Sequence, residues 1–501
     1  MSQAVLLKQI TQLHNPESRI VLSTQSSGTL LATMAVGVQG LATSDDPQFV
    51  RCFWELDSIA SEWVRLQGSV ESTEPYSGRE SVLLWENGEG RYMRHAMGLK
   101  DVGRLGGWKS GAAAWGRHGV SITEIGGLPA TLYTGEMFDH THHVIVPNDV
   151  NDLPAIWALC SSPEFSALVR QVDQKLSVTN KTLVKIPFDK DHWDKIAAER
   201  YPGGLPEPHS DDPTQWLFRG IGPDSTEPLQ VAMGRLLGYR WPAQIDDGLD
   251  SLFDHGGIVT LNPIADQEGA PNRLRSLLQA AFESPEPARP RGAPSILENH
   301  VWDENTLPRL LARANSAGLT LDEWLRDKFF EAHCKMLHQV PFIWHIWDGH
   351  KDGFHAFVNC HKLDGRNLDR LTHVYLGDWI ERQKKASESG DRTADGRLIA
   401  AQDLQKKLEQ IRVGETPYDI YVRWKPLHEQ PIGWEPDLND GVRMNIRPFV
   451  QAGVLRGRVN VNWNKDRGKD PKPNASGTVE RHNDLHFSLA EKRAAREASQ
   501  K

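Results

Sequence analysis

Six histidines, His333, His338, His345, His350, His355 and His361, fall in one short stretch of the 501-residue chain, with Asp348 and Asp352 among them. Imidazoles and carboxylates at that density could hold a divalent metal and activate water for phosphodiester cleavage. The spacing matches neither H-E-x-x-H nor an HNH-like arrangement, and His345 and His355 sit inside aromatic, strand-like runs, so structural or surface histidines are the plainer expectation. His140, His142 and His143 form a smaller group with the same reading. Phe218-Arg219-Gly220-Ile221-Gly222 matches the F-x-G-x-G loop whose glycines let a backbone approach S-adenosylmethionine. No apolar strand precedes it, and Pro223 and Pro228 interrupt any helix at its end, so a turn is expected. Methylating an adenine amino group also needs an N-P-P-Y or D-P-P-Y element to hold the amine and stack on the flipped base. The chain contains neither, nor a G-x-S-x-G elbow, nor a G-x-x-x-x-G-K-S/T phosphate loop, so no complete active site stands in it.

Binding is better represented than catalysis. Between Arg104 and His118, Trp108, Lys109, Trp115, Arg117 and His118 are interleaved with glycines and alanines. Cations there could hold DNA phosphates while planar groups reach base edges. A glycine-rich turn whose tryptophans plug the core is an equally good reading. Thr179, Asn180, Lys181 and Lys185 make a second polar and basic stretch, open to the same pair of readings: phosphate contact or ordinary solvated loop.

Elements must carry these stretches. Val5, Leu6, Ile10 and Leu13 recur at helical spacing until Asn15-Pro16 ends the helix. From Gly37 to about Asp191 the pattern turns to short aromatic and β-branched runs punctuated by glycine: Arg51 to Leu56, Ser81 to Glu86, Val120 to Ile125 and Val144 to Val146. One helix is expected within this β-rich module. Ser161-Ser162-Pro163-Glu164 opens it, and Phe165, Leu168, Val169, Val172 and Leu176 form its apolar face. Proline-rich linkers follow at Pro202 to Pro213 and Ser284 to Pro294, with two helices between them, around Leu229 to Leu237 and Leu274 to Phe282. Beyond them, the Thr320-x-x-Glu323 capping box opens a helix continuing to Met336. Phe342 to Trp347 and Phe354 to Val358 then form a strand pair around a glycine-containing loop, and a charged helix carries Leu404, Leu408 and Ile411.

The expected fold is α+β: residues 1–35 an N-terminal helix and connector, 36–200 a β-rich target-recognition-like domain, 201–294 a helical connector, and 295–501 a mixed α/β C-terminal domain with a basic, pattern-poor tail. The composition, 39% hydrophobic with 25% charged residues, excludes a wholly disordered chain. The four cysteines are far apart with no C-x-x-C pair, which fits a reducing cytoplasm. The longest apolar run, Leu30 to Val38, is too short to span a bilayer, so no membrane partner is expected. Net charge is −9, which argues against coating nucleic acid through bulk electrostatics but leaves room for local basic faces.

Blocks of the chain resemble the target-recognition region of large adenine-specific DNA methyltransferases, the single-chain restriction-modification enzymes and the PglX-type enzymes of BREX-like phage-defence islands. They are Val36-Gly37-Val38-Gln39-Gly40-Leu41-Ala42-Thr43, Phe49-Val50-Arg51-Cys52-Phe53-Trp54-Glu55, Ser161 to Phe165 and Thr179 to Phe188. Leu229 to Tyr239, Pro341 to Gly349 and Tyr418 to Pro426 resemble the C-terminal part of the same proteins. The family carries an N-terminal doubly wound catalytic domain with the cofactor loop and the N-P-P-Y element, and neither is present here. The resemblance therefore implies a DNA-reading half that binds double-stranded DNA through Lys109, Arg117, His118, Asn180, Lys181 and Lys185. A catalytic methyltransferase subunit would hold S-adenosylmethionine, this chain holding no cofactor, and other defence-system proteins would be partners. Either the gene is split or Met1 is an internal start in a truncated gene. A metal-dependent nuclease and a silent scaffold subunit are the alternatives.

Overall fold

A computed structural model of the chain describes residues 8–13, 29–101, 107–284, 290–293, 301–418, 422–430, 445–459 and 489–499. Within these, the fold is mixed α+β, built on three small sheets. Eight strands come from the first third of the chain: β1 (Ala35–Gln39), β2 (Val50–Cys52), β3 (Trp63–Gln67), β4 (Ser81–Leu84), β5 (Gly119–Thr123), β6 (Ala130–Tyr133), β7 (Met137–Phe138) and β8 (His142–Pro147). They interleave into two sheets. One has the order β1-β8-β5-β6 and is antiparallel throughout. The other has the order β2-β4-β3-β7, with β7 running parallel to β3. A third sheet, β10-β11-β9, joins β9 (Ile258–Thr260) to the hairpin of β10 (Ile343–Trp347) and β11 (His355–Asn359).

The first sheet is covered on both faces. Val120, Ile122, Leu132 and Ile145 pack on a helical layer, whereas Tyr133, Val144 and Val146 meet Phe138 and Ala114. The helical layer comprises α1 (Leu153–Cys160), α2 (Pro163–Val172), the short α3 (Asn180–Leu183) and α4 (Lys190–Arg200), where one helix was expected. α1 escapes a search for one-sided periodicity because it is apolar all round, as a helix enclosed by its neighbours must be: every residue except Pro154 is buried. α2 begins at Pro163 as expected. Ser162 holds the N-cap position without a side-chain cap bond, and the helix ends at Val172, leaving Leu176 outside it and 80% exposed.

One hydrophobic core is shared by residues 41–96, the connector and the C-terminal region as far as Val459, so it runs across the expected boundaries near 200 and 294. The connector contributes α5 (Pro228–Leu236) and α6 (Ala270–Glu283). The capping box forms, with Thr320 Oγ1 accepting from the Glu323 N–H and Glu323 accepting from the Thr320 N–H. Its helix is broken where continuity was expected: α7 (Leu321–Asp327) gives way at Lys328 to α8 (Phe329–Met336). α8 opens with Phe329 and Phe330, both buried. The charged helix, α10 (Arg392–Val413), packs against α9 (Leu376–Glu388). Of the N-terminal helix only Gln9–Gln12 is described, with Ile10 and Leu13 exposed; Val5, Leu6 and most of the basic tail lie outside the described residues. Among the described residues no helix is long and apolar enough to cross a membrane.

Candidate nucleic-acid interface

The stretch Gly107 to His118 folds as consecutive turns: Ser110 N–H donates to Gly107 O, Ala114 N–H to Gly111 O at 2.8 Å and Arg117 N–H to Ala114 O at 3.0 Å. Gly111 (φ +96°) and Gly116 (φ +73°) occupy the left-handed region that such reversals need. Its tryptophans are structural. Trp85 stands at 5.9 Å from Trp108 and 5.6 Å from Trp115, the latter edge-on at 83°. The Tyr92 hydroxyl lies 3.2 Å from both Ala42 O and Trp108 O. Ala114 is fully buried against Phe138 and the first sheet. The loop leaves Lys109, Arg117 and His118 exposed, together with Ala112, Ala113 and Gly116. Lys109 Nζ lies 4.6 Å above the Trp108 ring, and Arg117 donates through Nη2 to Pro147 O at 2.8 Å, at the end of β8. The two sequence readings therefore divide by residue type, the half-buried rings packing against the core and the charges standing at the surface.

The second stretch touches the same sheet. Asn180 donates through Nδ2 to Gly37 O at 2.7 Å in β1, and a Cβ on Gly37 would overlap the Asn180 carbonyl. Its amide is thus committed to the seam between α3 and β1, whereas neighbouring Lys181 is exposed and Lys185 half-buried. Because Ala35 pairs with Pro147 and Gly37 with Ile145, Arg117 and Asn180 are anchored two residues apart along the β1–β8 ladder. Sequence spacing alone could not show that pairing, since it arises from a strand partner more than a hundred residues away.

The histidine cluster does not gather. His333 accepts from the Ile343 N–H at Nε2 and meets Gln230 Oε1 through Nδ1 at 3.1 Å; burial pushes its pKa down to about 3. His345 Nε2 meets His355 Nδ1 at 3.0 Å, while His355 Nε2 is shared between His350 O and Lys351 O. Burial holds His345 well below the usual imidazole range and His355 at about 4. His361 lies under Trp54 O, also lowered to about 4 by burial, and His338 pairs with Glu80. Asp348 organises the hairpin loop by accepting from His350 and Phe354 N–H, and Asp352 pairs with Arg397. Among the described residues no group of three His, Cys, Asp or Glu is placed to hold a metal ion. Phe218 to Gly222 do not fit S-adenosylmethionine: Phe218 is buried edge-on against Trp241, Gly220 O accepts from buried Arg235, and a Cβ on Gly220 would meet the Gln244 side chain.

Sequence reasoning missed a large recess, a cleft of about 1140 Å³ between β3, the chain entering β7 and the turn at Gly238–Pro242, with Trp115 on its wall. Trp63-Val64-Arg65-Leu66-Gln67 has the aromatic and β-branched content of a strand and was the available signal. The fold and its loop define a class no narrower than a mixed α+β protein presenting cations on a rigid turn. The chain matches no protein-family model and no curated protein sequence.

Proposed function

We propose that this chain is the sequence-reading portion of an adenine-specific DNA methyltransferase of a restriction-modification or phage-defence system, acting in the cytoplasm on double-stranded DNA. Methyl transfer belongs to a catalytic partner that holds S-adenosylmethionine, and other proteins of the same system are expected to join them. The observation that carries the reading is the Gly107–His118 loop, whose half-buried tryptophans pack against Trp85 while Lys109, Arg117 and His118 stand exposed. Cations on a rigid mount can meet phosphates and base edges without a large ordering cost. A metal-dependent nuclease has less support, because the histidines it would use are engaged in the core.

The test is to incubate the purified chain with DNA and labelled S-adenosylmethionine, alone and with the product of the neighbouring gene. DNA binding by the chain, with methyl transfer only in the mixture, is the expected result. Methyl transfer by the chain alone, or DNA affinity no higher than that of an unrelated acidic protein, overturns the reading.

A further inference from the structure

The large cleft has a structural cause. β7 pairs with β3 only at Leu66 and Gln67, so among the described residues no strand lies beside Trp63, Val64 and Arg65 on that side. The chain that enters β7 is drawn away instead: Gly135 O accepts from the Gly116 N–H at 2.9 Å, which ties it to the cationic loop. The recess opens in the wedge between the two, and Trp63, Val64 and Arg65 line it together with Thr134, Gly135 and Glu136. A strand flank without a neighbour is a template for another chain.

We propose that this cleft takes an extended segment of a partner protein, added as a strand along Trp63–Arg65, with alternating apolar side chains and an acidic residue against Arg65. The partly buried Leu56, Ile59, Met137 and Leu217 make an apolar wall for such side chains. The volume exceeds what a drug-sized ligand fills and suits a stretch of peptide. The charges favour a peptide over nucleic acid. Arg240 is held by Asp250 at 2.7 Å and Glu136 by Arg79 at 3.7 Å, which leaves exposed Arg65 and Asp57 at the rim and no net positive field for phosphates. The Arg65 side chain has no hydrogen bond or ion pair among the described residues, so a carboxylate is its complement. Main-chain pairing would supply affinity and the alternating pockets specificity.

The experiment selects a displayed random dodecapeptide library on the full chain, then measures the enriched peptides by hydrogen exchange and anisotropy. Enriched peptides should alternate apolar residues around an acid and slow exchange in the segment Glu62–Leu66. They should weaken at least tenfold when alternate peptide amides are N-methylated, and at least tenfold against Arg65→Glu, with recovery when the acid is exchanged for lysine. No enrichment above the display background, enrichment that leaves Glu62–Leu66 unprotected, or indifference to N-methylation overturns the proposal. So does protection of that segment by a twelve-nucleotide oligothymidylate and by no peptide. The proposal stands apart from the DNA reading, since Arg65→Glu is expected to keep the chain's DNA affinity.

Discussion

Two residues of the candidate interface that look alike in sequence should behave differently. Lys181 is exposed on α3, so Lys181→Ala should weaken binding to all DNA sequences alike and reduce the slope of log K against log salt by about 0.9, as loss of one phosphate contact does. Asn180→Ala should leave that slope unchanged and instead lower stability by about 1 kcal/mol in urea titration, because its amide serves Gly37 O. Arg117 spends one guanidinium edge on Pro147 O and keeps the other for a ligand. If that edge reads a guanine, Arg117→Ala costs about 1–3 kcal/mol on the cognate site and far less on unrelated DNA. Unchanged cognate binding in a folded Arg117→Ala protein would remove the loop from the interface. The buried histidines give a pH dependence with a definite sign. His333, His355 and His361 have folded pKa values near 3, 4 and 4, below their unfolded value, so as pH falls below about 6.5 the unfolded chain takes up protons that the folded one refuses. Each should withdraw about 1.4 kcal/mol of stability per pH unit until its folded pKa is reached. Equal urea midpoints at pH 7 and pH 5 would contradict this.

Elements were legible where residue type or spacing sets them apart. The strands around Arg51, Ser81, Val120 and Val144 and the β10–β11 hairpin announce themselves by aromatic and β-branched runs between turn residues, and the helices α5, α6 and α10 by apolar positions recurring among polar ones. α1 does not, because Leu153 to Cys160 carries no polar residue to set one face against another. β3 was passed over although its composition suits a strand, and with it went the cleft, whose existence depends on where a partner strand stops. The candidate loop was found from its composition, but which of its residues face outward is a tertiary fact set by Trp85 and Tyr92. The central place of α1 is open to measurement. Trp157 is buried and donates from Nε1 to the Tyr201 hydroxyl at 2.8 Å, so Trp157→Ala should cost about 3–5 kcal/mol in denaturant unfolding. A loss below 1 kcal/mol would mean that α1 is not the centre of that layer.

For the whole molecule, the shared core decides what can be separated. Residues 41–96 bury Phe49, Phe53, Trp54 and Trp63 in the cluster that holds Trp324, Phe357 and Leu408. A fragment of residues 36–200 should therefore expose that face and fail to unfold cooperatively, as followed by circular dichroism in urea; a sharp two-state transition in the isolated fragment would show that the first sheet and its helices suffice. The same joint between sheets carries its own optical label. Trp85 follows β4 of the second sheet, whereas Trp108 and Trp115 ride on the loop that covers the first, and the Trp85 ring lies within 6 Å of each of them. Aromatic transitions at that range couple. A difference spectrum between the intact chain and Trp115→Phe in near-ultraviolet circular dichroism would isolate that coupling, and its change on adding DNA or peptide would report, without any attached dye, whether one sheet moves against the other.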